Sequence, residues 1–495
     1  MTTLPSCFVL QSGGKYLSLT ENIPTPNLPS GFLKFDEEQI RSPRTKFVAE
    51  PAAGAGGLFH IRSLYNNKYL VTKQIGSKSW IVASAEKPEE DTSKGASCTL
   101  FQPHSLPDDD DQSKTTTVRL RHVGTGISAT RHSNDDDGVD DSTHQGVLLS
   151  STSSVARSSF VFTDSSSVLV LPSRVAFKSV DLNGNYLGSA WLYGKYMYQR
   201  FEAGLDIGDQ RVANELIHTS PQSEYYRIKD LYNDKFWKLE TGNWIKADDD
   251  SGRDYDCLFS VVHVQDNVVA LLNMNSDCYC GAYTEGGSVN CLRAEYPTLS
   301  KQTRLILEEV VLRRVINDVD YRLPDSRVYD EQPIEVDHQF ASNYLQTDST
   351  MTLEFTPKES RTTSWNNSVS IQFGVTLSFE VSAVPLIEKS NVSLSFEAGY
   401  THEWGGEVTT ERERKMSYTV TVPPLKTVKV TMLATTGKCD VPFSYTQRDL
   451  LPSGRWDATR KDDGIFKGIN SYNVHFKSEY VNPDDDHKAT ADTNK

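Results

Sequence analysis

Two stretches of this chain, about 160 to 170 residues apart, are variants of one another. Leu58 to Val71 reads LFHIRSLYNNKYLV, and Tyr225 to Lys238 reads YYRIKDLYNDKFWK. Both follow aromatic, x, Ile, basic, x, Leu-Tyr-Asn-x-Lys-aromatic. Each precedes a Trp-Ile pair, Trp80-Ile81 and Trp244-Ile245. Each then runs through an acidic stretch to a similar end, Cys98-Thr99-Leu100-Phe101 or Cys257-Leu258-Phe259. A chain that repeats itself at this distance folds as two copies of one domain. A shorter period of about 50 residues lies inside each copy. Gly14-Lys15-Tyr16-Leu17 recurs as Asn67-Lys68-Tyr69-Leu70, and Asn185-Tyr186-Leu187 as Lys235-Phe236-Trp237. Weaker third units fall near Gly126-Ile127-Ser128 and Cys278-Tyr279-Cys280. No such unit can bury its apolar face alone, whereas three can close a barrel, so the recurring aromatics are expected in a shared core.

Alternating strands and Gly/Asn/Asp turns dominate, and long helical periodicity is scarce, so the fold is all-β. The Ser-rich segment Ser151 to Ser167 predicts a linker between the copies. Past Val310 to Arg314 the repeat stops and the strands become longer and richer in Thr and Ser. The expected organisation is residues 1–152, a linker at 153–171, a second copy at 172–313, a different domain at 314–481 and a polar tail at 482–495.

A net charge of -15 argues against a nucleic-acid partner, which needs a basic patch. The acid is partly clustered, at Asp108 to Asp111, Asp135 to Asp137 with Asp140 and Asp141, and Asp484 to Asp486. None has EF-hand spacing, so solvated loops are expected. Seven cysteines with no paired CxxC motif predict reduced, buried thiols and no metal. No nucleophile elbow, Walker loop, dinucleotide fingerprint or HExxH occurs, so neither enzymatic activity nor a cofactor is expected. The start lacks a secretory pattern, and no run approaches 18 apolar residues, which predicts a cytoplasmic or nucleocytoplasmic protein without a membrane helix.

The repeated half resembles the amaranthin-like agglutinins, plant lectins built from two β-trefoils. The resemblance rests on Asn67 to Val71, Trp80 to Ala85, Cys98 to Phe101 and Leu271 to Met274. It covers roughly residues 1–312. The remainder is similar to the aerolysin-type β-pore-forming module, with Trp404-Gly405-Gly406 where that family commonly has a Trp-Gly, and Val420 to Pro424 opening another long β segment. The two resemblances together imply tandem β-trefoils followed by an elongated aerolysin-like β-sheet domain, in the order of known plant chimeras. They imply binding of N-acetylgalactosamine or T-antigen type glycans, between the first trefoil of one subunit and the second of its partner. The implied contacts are Ser77, Lys78, Ser79 and Trp80, in the loop Lys73 to Ser79 and just after it, and Asn243 and Trp244 in the second copy. Ser77 and Ser79 stand where amaranthin has an Asn and a Tyr, and a Ser offers no stacking surface.

The last feature is VSIQFGVTLSFEVSAVPLIEKSNVSLSFEAGY, residues 369–400. Val369, Ile371, Phe373, Val375, Leu377, Phe379, Val381 and Ala383 alternate with polar residues or Gly over 15 positions, against a usual strand of about 5–6. The alternation returns at Val392, Leu394, Phe396, Ala398 and Tyr400. A membrane-crossing strand needs roughly 9–11 residues. Pro385 suggests that Val384 to Asn391 is a loop. The expected register pairs Ala383 with Val392, Val381 with Leu394, Phe379 with Phe396, Leu377 with Ala398 and Val375 with Tyr400, which leaves Glu380 and Glu397 on the polar, lumen face. One hairpin has open edges, so about seven to nine subunits would have to close a barrel. The expectation is a glycan-directed, homo-oligomeric pore former of plant defence or stress, membrane-associated once assembled. The alternative is a nucleocytoplasmic stress lectin whose last domain serves only oligomerisation.

Overall fold

A computed structural model describes residues 4–20, 28–54, 56–105, 116–132, 145–151, 155–165, 168–194, 196–220, 223–367, 377–396, 402 and 404–481. The acidic runs and the polar tail lie outside them. The chain divides into two units, one holding Met1–Ile316 and the other most of the chain after it.

Each repeated copy is a twelve-stranded antiparallel sheet closed on itself. In the first, Cys7–Ser12 pairs with Phe160–Asp164, with Leu10 opposite Phe162. In the second, Arg174–Ser179 pairs with Leu305–Glu309. Three hairpins cap each barrel and touch one another around a pseudo-threefold axis. In the first copy the contacts are Phe32 with Val82, Lys34 with Gly146 and Leu148 with Trp80. In the second they are Tyr198 with Lys246, Arg200 with Cys291 and Trp244 with Arg293. This is the β-trefoil arrangement.

The internal repeat has a direct physical cause. In five of the six units the residue after the turn-and-aromatic signature enters the core, Leu17 and Leu70 in the first copy and Leu187, Trp237 and Cys280 in the second, and in the sixth Ala129 does so after Ser128. Cys280 is a core side chain, and burial pushes its thiol up.

The expected linker is shorter than its composition suggests. Val155–Ser158 is a helical turn, and Phe160–Asp164 is the strand that closes the first barrel. Phe160 and Phe162 are buried in its core, so apolar burial overrides the disorder signal of the flanking serines.

Beyond the trefoils the strands are long: Arg327–Ser342 has 16 residues, Thr427–Leu450 has 24 and Trp456–Val481 has 26. They join Arg313–Tyr321, Lys358–Asn367, Leu377–Phe379 and Glu407–Glu413 in a seven-stranded sheet. A separate ribbon, Ser349–Phe355 with Met416–Val422, closes a small sandwich over Ala341, Phe355, Val422, Val430 and Met432. Its outer face carries the pairs Thr350–Thr421 and Thr352–Thr419, in hydroxyl contact at 3.3 and 3.1 Å.

Candidate functional site

The first-trefoil segment expected to touch sugar is a tight hairpin rather than an open loop. Tyr69–Ile75 pairs with Lys78–Ala85, and Ile75 faces Lys78 across the two-residue turn Gly76-Ser77. Gly76 sits at φ 60°, a conformation that a β-carbon resists. Ser77 is exposed, while Lys78 and Ser79 are half-buried. Ser79 Oγ donates to Gln74 Oε1 at 2.7 Å, and Lys78 Nζ lies 3.5 Å from His132 Nε2. Trp80 is only 2% exposed, packed between Phe32 and an edge-on His132 at ring distances of 5.3 Å each. Trp80 therefore braces the hairpin and has no face left for a pyranose ring.

Trp244 is enclosed in the same way. Tyr198 and Tyr283 meet it edge-on at 5.9 and 6.2 Å, and the Arg293 guanidinium lies 5.0 Å over its ring. Arg293 is held in turn by Glu285 and Glu295. Asn243, at φ 62° in the turn, donates from Nδ2 to Glu295 at 3.3 Å. The polar rim of this site is thus Asn243, Glu285 and Glu295. Sequence reasoning singled out the buried ring and missed an exposed one. Tyr193 is 62% exposed, and its hydroxyl is tethered to Gly286 O and Ser288 Oγ at 2.9 and 3.1 Å.

In the expected insertion segment, Val369, Ile371, Phe373, Val375, Glu397, Ala398 and Tyr400 lie outside the described residues. The remainder corrects three expectations. The run to Ala383 is not one strand, because Leu377–Phe379 ladders onto Arg313–Tyr321 and the strand ends at Phe379. Val384 to Asn391 is not a loop either. Val384–Glu388 pairs with Asn391–Ser395 around Lys389-Ser390, both at positive φ, the twist that two-residue hairpins favour. Val392 consequently faces Ile387 rather than Ala383. Pro385 is in the ladder opposite Leu394. It is tolerated there because residues next to a two-residue turn exchange both bonds, so Ile387 and Pro385 direct their backbone groups outward, where a missing N–H costs no ladder bond.

The stripe residues are mostly covered. Leu377, Phe379, Val381, Val392 and Leu394 are half-buried, Glu380 is exposed, and Phe396 is 77% exposed. Both ends of the segment rest on one aromatic cluster. Phe379 meets Trp365 and Trp404 at 5.4 Å each, and Trp404 meets Tyr445 at 4.9 Å. His402 stands edge-on to Trp365 at 4.6 Å, and desolvation holds its imidazole below the usual histidine range. Trp365 Nε1 donates to Tyr321 at 2.8 Å, and the Tyr321 hydroxyl reaches Ala383 O at 3.1 Å. At the far end Asn470 bonds both backbone groups of Ile387, accepting from its N–H and donating to its carbonyl at 3.0 Å each. Asn470 shows in the sequence only as a polar residue at the buried parity of Phe466, Gly468 and Tyr472.

Comparison with known proteins fits these two halves. A model of the agglutinin domain matches residues 2–139 and again residues 170–311. The chain belongs to the agglutinin family. Agglutinin domains are carbohydrate-binding modules, and this agglutinin continues into a region related to the natterins, of the aerolysin-like toxin family. Natterin-2 of Thalassophryne nattereri is 23% identical over 171 residues, 34% of this chain and 45% of the relative. Natterin-1 of the same fish is 25% identical over 142 residues, 29% of this chain and 40% of the relative. The agglutinin therefore matches less than half the length of either natterin. The crystal structure of a lamprey immune protein aligns with a TM-score of 0.30 and 14% identity, over 62% of this chain and 91% of that one. Neither the lectin nor the natterin-like family is enzymatic.

Proposed function

We propose that this agglutinin is a glycan-directed, membrane-permeabilising lectin acting in defence or stress. In this reading the hairpin tips around Ser77, Lys78 and Ser79, and the rim around Asn243, take an N-acetylgalactosamine-type glycan. Trp80 and Trp244 act as braces. Glycan binding concentrates the protein at a surface, and about seven to nine subunits contribute two strands each to a barrel. Glu380 and Glu397 then face the lumen and favour cations.

The observation that carries this reading is the way residues 377–396, His402 and Trp404 are held. An amphipathic segment is rooted through Phe379, His402 and Trp404 in one aromatic cluster, and its tip is seated by the Asn470 amide on Ile387 and by Tyr472 on Ser390. Such a segment is covered in solution and releasable as a unit. Dye release and planar-bilayer recordings with glycan-bearing liposomes test it. Cation-selective conductance is expected from the intact protein, and Phe379→Asp should abolish it while sparing glycan binding. Strict anion selectivity, or full conductance in the variant, would overturn the reading. A glycan array tests the sugar class, and flat binding across all sugars would overturn that half.

A second reading, a lectin whose last region only assembles subunits, draws on the burial of Val384, Leu386 and Ile387, on both faces of their strand. Oligomers that never release dye would favour it.

A further inference from the structure

The small sandwich of the second unit ends in two loops that display three large apolar side chains. Tyr344 is 85% exposed, Leu345 59% and Leu425 61%. Chain loops that fold at random do not hold such residues in place, yet these two are tied firmly. Asn343, only 2% exposed, donates to the carbonyls of Thr347, Val422 and Pro423 at 2.8, 2.8 and 3.1 Å, and accepts from Leu345 N–H at 2.9 Å. Asn343 N–H also reaches Lys426 O at 2.9 Å, and Leu425 N–H reaches Leu345 O at 3.3 Å. Leu425 is held at φ 54°, where a bulky L-residue is strained and a Gly would be relaxed. The fold thus spends a buried, fully bonded Asn and a strained backbone on exposing leucine and tyrosine. Neither contributes to the core at that position.

We infer that this tip is a membrane-docking site for the interfacial zone of a lipid bilayer. Three side chains offer on the order of 400 Å², about half of what one partner of a stable protein complex buries, so a protein partner or a second copy is poorly served. For a bilayer the same area suffices as a shallow anchor. Leu enters the acyl boundary, and Tyr keeps its hydroxyl at the headgroup level. Lys426 and Asp348, both exposed at the tip, offset one another, so the contact does not depend on anionic lipid. This docking precedes any insertion of residues 369–400 and does not require it.

Co-sedimentation of the full chain with glycan-free phosphatidylcholine vesicles tests the inference, read as bound protein and not as leakage. The intact protein should bind, and binding should persist when salt is raised. A triple variant, Tyr344→Ser, Leu345→Ser and Leu425→Gly, should lose about tenfold in vesicle binding. It should keep its thermal stability and glycan binding, since all three side chains are exposed and the Gly relieves strain. Absence of binding by the intact protein, equal binding by the variant, or loss of binding in salt would each overturn the inference. So would a change of oligomeric state in the variant, which would assign the tip to a second copy. Vesicle binding without dye release would leave this site standing while the pore reading fails.

Discussion

Asn66 donates from Nδ2 to the carbonyl of Ala83 at 2.9 Å, and Asn233, its counterpart in the second trefoil, makes the same bond to Ala247 at 2.7 Å. The Asn of the repeated Leu-Tyr-Asn signature is therefore a staple. It fastens the turn of one hairpin to the strand that carries Trp80-Ile81 or Trp244-Ile245. Replacing Asn66 by Ala leaves a buried carbonyl unpaired, which costs about 1–3 kcal/mol. Denaturant unfolding of Asn66→Ala should show that loss in the first trefoil, and Asn233→Ala a similar loss in the second. Unchanged midpoints in both would remove the structural account of the repeat.

The repeat is legible in the sequence because the same backbone geometry recurs six times and each time demands a turn followed by a core side chain. The boundary of the first trefoil is not legible, since Phe160 and Phe162 are two apolar residues among serines and only their partners across the barrel reveal them. For the hairpin, parity is legible and register is not. The observed pairing of Val392 with Ile387 is displaced by four residues from the expected pairing with Ala383. An even displacement keeps every stripe residue on its face, so alternation cannot distinguish the two. The tryptophans mislead for a different reason. Composition shows that an indole is present at a site, but whether its faces are free depends on His132 or Arg293, which are distant in the chain.

Trp237 fills the core position that Leu70 occupies in the first trefoil, where Leu70, Leu17, Ile81 and Phe101 help line a small apolar void. Trp237 is wholly buried, and its Nε1 has no hydrogen-bond partner among the described residues. Trp237→Leu should therefore cost about 2–4 kcal/mol through the cavity it opens. Trp237→Phe loses less volume and also removes the orphaned donor, so it should cost under about 1.5 kcal/mol. Equal costs for the two would mean that volume does not govern this core.

Arg314 is held by two carboxylates within the first unit. Its guanidinium reaches Glu309 at 2.6 and 2.9 Å and Asp449 at 2.7 and 2.8 Å, and all three side chains are at most 17% exposed. Arg314→Ala leaves two buried anions facing each other, a loss of about 3–5 kcal/mol in thermal or denaturant unfolding. Arg314→Lys keeps the charge but not the fork, and should recover only part of it. Full recovery by Lys would show that charge alone, without bidentate geometry, holds the site.

His402 predicts an acid-sensitive segment root. Its folded imidazole titrates below the ordinary value of 6.5 because burial against Trp365 disfavours the charged ring. The unfolded chain takes up the proton first, so stability is full above about pH 6.5 and falls as pH drops toward the folded value. The melting temperature should decline as pH falls from about 6.5 to 5.5. His402→Phe preserves an aromatic contact and cannot be protonated, so its decline should be shallower. Identical slopes would assign the acid sensitivity elsewhere, His122 being another histidine that burial depresses.

Loss of Asn470 should loosen the tip of the hairpin without touching its sequence. Its amide satisfies both outward backbone groups of Ile387, as a neighbouring strand would, and Pro385 has no N–H to offer on the same edge. The edge is thereby closed to further pairing. Ile387 itself is 1% exposed, and its side chain approaches Gly437, where an added β-carbon would come within 3.3 Å of it. Tyr472 completes the seat, bonded to Glu331 and to Ser390 of the turn. With Asn470→Ala, two buried backbone groups lose their partners, at about 1–3 kcal/mol each. The tip should then open more often, and the amide of Ile387 should exchange with deuterium at least about tenfold faster. Amides in the trefoils should be unaffected. Asn470→Asp should open it less than Ala, because a carboxylate still accepts from the Ile387 N–H but cannot donate to the Ile387 carbonyl. If hydrogen exchange at Ile387 stays slow in both variants, side-chain burial and not the amide clasp retains the hairpin.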